Sequence, residues 1–158
     1  MHHLHGRYAL MHRGVAKLHR QFLLDAADDV FELELAPNRP DTLSHRGLAR
    51  ELAAYFRLPL KSLSAPSLAE TLAAKVLVSV QDAAAAPYYS ARLLEGVKIG
   101  PSPEWLRRRL ESVGLHPINS VADITNFILH DTGQPLHAFD ADRLAGGKII
   151  VRRSRNGE

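Results

Sequence analysis

Hydrophobic and polar positions alternate with period two over Val30–Ala36, where Phe31, Leu33 and Leu35 interleave with Glu32 and Glu34. This predicts a half-buried strand. Pro37-Asn38-Arg39-Pro40-Asp41 ends it, because two of these five residues lack an amide hydrogen and cannot extend a sheet ladder. The period then lengthens to that of a helix from about Thr42 to Phe56. Leu48, Leu52, Tyr55 and Phe56 share one side, Arg46, Arg50 and Arg57 lie mostly off it, Asp41 is placed to cap its start, and Pro59 stops it. Upstream, residues 1–28 predict a solvated leader running into a short helix that ends near Asp28.

Lys61–Lys75 is rich in Ser, Ala and Pro and carries little periodic signal, so it reads as a connection with a boundary near residue 73. Val76, Val78 and Val80 then alternate with Leu77 and Ser79, and Tyr88–Ile99 is a second strand-like run, together the start of a sheet. Ser102 as cap, Pro103 in the first turn and Glu104 beside the positive helix end predict a helix over Pro103–Val113, closed by Gly114. Its apolar side is Trp105, Leu106, Leu110 and Val113. Arg107, Arg108 and Arg109 wrap around it rather than lining one face, which favours a solvated surface over a phosphate clamp. A third helix is predicted from Ser120, capped with Asp123 three residues on, with Val121, Ile124 and Ile128 as its inward stripe and its end before Gly133. A last strand over Lys148–Arg153 precedes an Arg-Asn-Gly turn, which anticipates a partner strand, so the chain is expected to stop inside a domain.

The fold class is therefore α+β: a small strand-helix module followed by part of a mixed α/β domain whose sheet is incomplete at the C-terminus. The expected division is a His-rich leader at 1–28, the strand-turn-helix module at 29–73 and the mixed domain at 74–158.

Composition narrows the chemistry. In 158 residues, 20 Lys and Arg stand against 17 acids, a net charge of +3 that favours an anionic partner without naming one. There is no cysteine, which excludes disulfides, thiol nucleophiles and Cys-type zinc or iron–sulfur sites from this chain. No apolar run approaches the ~18 residues that span a bilayer, so no membrane association and a cytoplasmic location are the expectations.

Five of the nine histidines fall in the first 29 residues, and His2, His3 and His5 form a cluster. Such a terminus lacks the fixed geometry of a metal site, so a solvated leader is the simpler reading and no metal site is assigned. Arg46 and Arg50 can meet phosphates or simply form a solvated helix face. Thr125 and Asn126 sit mid-helix, where neither is a strong helix former, so each is either exposed or recruited to hydrogen bonding. His137, in Leu136-His137-Ala138-Phe139-Asp140, is either a surface histidine or a functional one.

Two blocks carry a resemblance. Phe31–Leu52, FELELAPNRPDTLSHRGLAREL, and the stretch with PIN, DITN and QPLHAFD followed by GGKIIVRR are similar, in order and spacing, to the beta subunit of bacterial phenylalanyl-tRNA synthetase. The match covers roughly residues 27–158. It implies a portion of a subunit that pairs with a catalytic alpha subunit in an α2β2 assembly joining phenylalanine to tRNA(Phe) with ATP and magnesium. Neither cofactor is expected in this portion. It also implies that 29–73 is the module before the editing domain and 74–158 the first half of that B3/B4-type domain, which hydrolyses tyrosine wrongly attached to tRNA(Phe). Thr125, Asn126 and His137 match positions lining the family's editing pocket. His116 stands where the family commonly has a basic residue, so it, Arg46 and Arg50 are candidate tRNA contacts. Two other readings stand beside a tRNA-facing portion: a free-standing deacylase clearing mischarged tRNA, and a non-catalytic RNA-binding module.

Overall fold

The computed structural model describes residues 16–23, 26–67, 69 and 76–158. The described residues separate into two compact units, one running up to Ser62 and resuming at Ile99–His137, the other comprising Leu63–Lys98 and Ala138–Glu158. The architecture is α+β, as the sequence pattern predicts.

In the first unit, strands β1 (Ala16–Leu23) and β2 (Ala26–Leu33) pair antiparallel, with Lys17 opposite Glu32 and Leu18 opposite Phe31. The helix expected to end near Asp28 is therefore a correction. A strand carrying Phe31 and Leu33 needs partners for its backbone groups, and the preceding segment supplies them, which outweighs a weak local preference for helix. The cluster His2, His3 and His5 lies outside the described residues.

The Pro-Asn-Arg-Pro-Asp turn is followed by a 3₁₀ turn at Pro40–Thr42, and helix α1 spans His45–Phe56. Its cap is Ser44, whose hydroxyl accepts from the Gly47 amide at 3.0 Å, not Asp41. Asp41 is drawn instead to Arg39, which closes the turn around it. The side of α1 expected to face a core is largely open, with Leu52, Tyr55 and Phe56 all exposed.

Helix α2 (Glu104–Ser112) has Pro103 at its N-cap with no side-chain cap, and Leu106 and Leu110 are its buried apolar residues. The expected inward residues Trp105 and Val113 lie on the surface. Helix α3 (Ser120–Thr132) is capped by Asn119, whose side-chain oxygen accepts from the amides of Val121 and Ala122 at 3.1 and 3.0 Å, so Ser120 is the first helical residue rather than the cap. The helix ends before Gly133, as expected, with that glycine left-handed at φ 81°. Its inward face differs from the apolar stripe read from sequence. Ile124 is 51% exposed, whereas Asp123 is fully buried. The reason is satisfied polarity: Asp123 accepts from the Ser102 hydroxyl at 2.5 Å and the Ile118 amide at 2.8 Å, and a carboxylate so bonded tolerates burial. Ser102 thus ties the entry of α2 to the first turns of α3 instead of capping α2.

The second unit contains strands β3 (Leu77–Val80) and β4 (Lys148–Val151), paired parallel with Leu77 opposite Lys148 and Val80 opposite Val151. Val78, Val80, Ile149 and Val151 are the half-buried members of this ladder. Tyr88–Ile99, expected as a strand, forms none. β3 finds its partner in β4 instead, and Tyr88, Leu94 and Ile99 are exposed. Asp82 pairs with Arg153 beyond the two strand ends, and this ion pair holds the Asp82 carboxyl below its ordinary pKa.

Candidate functional site

Helix α3 carries Thr125 and Asn126 as consecutive, half-buried residues in the first unit. The Thr125 hydroxyl donates to the Ala122 carbonyl at 2.7 Å, so its proton is committed to its own helix and its lone pairs remain to accept. The register of this helix is fixed at its start by Asn119 and Asp123. Asp123 also holds the Ile118 amide, two residues from the exposed His116. At the other end the Gly133 turn redirects the chain into the segment bearing His137, which is exposed. Thr125 and Asn126 therefore sit side by side, and His137 lies on the segment leaving their helix.

Arg46 and Arg50 are both on α1, and each is engaged. The Arg46 guanidinium donates to the Lys61 carbonyl at 3.2 Å, and that of Arg50 to Asp41 at 3.1 Å. Arg39 forks onto the same carboxylate with two bonds of 2.9 Å and reaches Glu51 at 2.7 Å. These bonds, chiefly the one from Arg39, pull the Asp41 carboxyl down to about 2, and they raise the Arg39 guanidinium still further. A phosphate approaching Arg50 must therefore compete with Asp41.

A groove of about 400 Å³ opens elsewhere in the same unit, between α2 and α3, with one residue from α1. Trp105, Arg109, Phe127, His45, His130 and Asp131 are among the residues lining it, and none of Arg46, Arg50, His116, Thr125, Asn126 and His137 does so. Trp105 and Phe127 meet edge to face at 5.6 Å, and His45 Nδ1 lies 3.0 Å from the His130 carbonyl. A carbonyl only accepts, so that nitrogen carries the proton. The sequence does carry a signal for this face: Trp105 and Arg109 are four apart, and Phe127, His130 and Asp131 follow three- and four-residue spacing.

Residues 85–158, which carry α2, α3, His116, Thr125, Asn126 and His137, match the B3/4 domain family, whereas α1 with Arg46 and Arg50 lies outside the match. Over a longer span the chain is 50% identical to the phenylalanine–tRNA ligase beta subunit of Geobacter metallireducens, across 138 residues that make up 85% of this chain and 17% of that protein. The beta subunit of Chlorobium luteolum is also 50% identical over 131 residues, 83% of this chain and 16% of that protein. That of Syntrophus aciditrophicus is 46% identical over 138 residues, 86% and 17% respectively. The chain spans about 17% of the length of these relatives, and over that span it is similar to the phenylalanine–tRNA ligase beta subunits.

Proposed function

We propose that this chain supplies a tRNA-facing wall of an editing pocket within a phenylalanine–tRNA ligase beta subunit, where tyrosine wrongly attached to tRNA(Phe) is hydrolysed. The observation that carries this reading is the coincidence of half identity to these beta subunits with a B3/4 match that encloses Thr125, Asn126 and His137. In this reading the His137 imidazole orients the attacking water. The Asn126 amide donates to the ester carbonyl, and Thr125, its own proton already committed, accepts from the substrate. His116, Arg46 and Arg50 are the proposed tRNA contacts.

The partners in this reading are tRNA(Phe) and the catalytic alpha subunit of an α2β2 ligase. ATP and magnesium are assigned to the whole ligase, and no step here runs through them. Among the described residues no group of three or more His, Cys, Asp or Glu is placed to hold a metal ion. None of the described helices is long and apolar enough to cross a membrane, and the cytoplasm is the proposed location. Incubating the chain with tyrosyl-tRNA(Phe) tests the pocket. Hydrolysis that falls to background in His137→Ala supports a working pocket. Hydrolysis equal in the two removes His137 from its role, and none in either assigns the chain to a structural part of the subunit.

A further inference from the structure

We propose that Trp105 and Arg109 form a binding site for one unstacked nucleotide of a single-stranded RNA, with the base on the indole and its phosphate on the guanidinium. The choice of RNA among nucleotide sources rests on the tRNA-facing reading above; the site itself rests on geometry outside the editing residues. Trp105 is 57% exposed although it is the largest side chain of α2, and Phe127 braces it edge-on at 5.6 Å. A braced, open indole gives a stacking surface with little ordering cost, and stacking tolerates any base. Arg109 lies one helical turn on. Arg107 pairs with Glu111 at 3.9 Å and Arg108 with Glu104, whereas Arg109 has no carboxylate partner among the described residues.

The two residues share two adjoining spaces. The groove of about 400 Å³ has the size of a small-ligand cleft and is edged by aromatic rings, but Asp131 also lines it. Beside it a second, more open groove is lined by Trp105, Arg108, Arg109 and Ser112, with no acid. That asymmetry orients the ligand. The base enters the first groove against Trp105, and the phosphate lies in the second on Arg109, clear of the Asp131 carboxylate, with the Ser112 hydroxyl beside it. A duplex is a poor ligand because its bases are already stacked.

Trp105 is the single tryptophan of the chain, so its fluorescence reports the site directly. The purified chain is titrated with an unstructured single-stranded RNA hexamer, a duplex of the same sequence, a nucleoside 5′-monophosphate and a nucleoside. Saturable quenching by the hexamer is expected, declining with salt at a log–log slope of about −0.7 per phosphate held. Arg109→Ala should weaken it at least tenfold and Arg109→Lys less than that, while the nucleoside gives no saturable change at the same concentrations. Absent saturable quenching, equal binding by Arg109→Ala, or a duplex as effective as the single strand overturns the site. A monophosphate as tight as the hexamer overturns the RNA strand as the source. Emission that depends on protein concentration alone shows a second copy in the groove and overturns it as well. His137→Ala should leave the quenching unchanged, so loss of hydrolysis and loss of this site are read separately.

Discussion

The Ser102 hydroxyl donates to the fully buried carboxylate of Asp123 at 2.5 Å, and this bond joins the chain entering α2 to the first turns of α3. The second carboxylate oxygen takes the Ile118 amide at 2.8 Å, so one side chain organises three segments. Truncation by Asp123→Ala strands a buried hydroxyl and a part-buried amide and is expected to destabilise the chain by about 2–3 kcal/mol. Ser102→Ala removes one of the two bonds and should cost about half as much. Urea unfolding followed by circular dichroism measures both, and a loss under 0.5 kcal/mol for Asp123→Ala would show that the carboxylate is not holding these segments together.

Gly47 sits where the turn before α1 doubles back on the helix. A Cβ built there would lie 1.8 Å from the Asp41 carbonyl oxygen, a backbone atom that cannot swing aside. Alanine is the better helix former by about 1 kcal/mol, but the clash opposes it. Gly47→Ala is expected to destabilise by about 2 kcal/mol or more, read as a lower thermal midpoint. A raised midpoint would mean that the turn yields without cost.

Much of this was legible beforehand, and what was not has a physical pattern. The Pro-Asn-Arg-Pro-Asp break, the Gly133 stop and the strand at Lys148 follow from backbone rules that act locally, and each stands in the structure. The misreadings concern pairing choices made far along the chain. Tyr88–Ile99 has strand-like composition, yet β3 is joined by β4 from across the domain, and no local pattern announces that choice. Ser102 and Asp123 each look like a capping residue until the two helices meet, when a shared buried bond suits both better. The candidate site divides the same way. Thr125, Asn126 and His137 are proposed on motif resemblance alone, whereas the groove at Trp105 is made by α2, α3 and His45 together and needed the fold.

The turn at Asp41 makes stability depend on acid. Its carboxyl is held at about 2 in the folded chain, below the ordinary carboxylate value of 3.8, by the hydrogen bonds from Arg39. A lowered folded pKa means that the unfolded state binds the proton first. The contribution is full above pH 4 and is lost as the pH falls through 4 toward 2. Arg39→Ala should bring the Asp41 titration, followed by carboxyl NMR, back toward 3.8 and flatten the acid limb of the stability profile over that window. An Asp41 titration unmoved by Arg39→Ala would assign its shift to something other than this pair.

At the far end of α3, Gly133 adopts φ 81° and donates its amide to the Leu129 carbonyl at 2.8 Å, closing the helix just before the segment that bears His137. A Cβ there meets two obstacles. The left-handed conformation disfavours any L side chain, and the added carbon would lie 3.3 Å from Ser44 Oγ, the atom that caps α1. Gly133→Ala is therefore expected to destabilise by about 1–2 kcal/mol. Gly133→Asn should cost less, because asparagine tolerates this region better than other non-glycine residues. Since the turn also aims the outgoing chain, Gly133→Ala should lower His137-dependent hydrolysis of tyrosyl-tRNA(Phe), where that activity is present, by more than the unfolded fraction accounts for. Hydrogen exchange at the Gly133 amide separates the two effects. Fast exchange in Gly133→Ala together with wild-type exchange in the middle of α3 identifies a local loss of the turn. Faster exchange along the whole helix would instead assign the effect to global destabilisation.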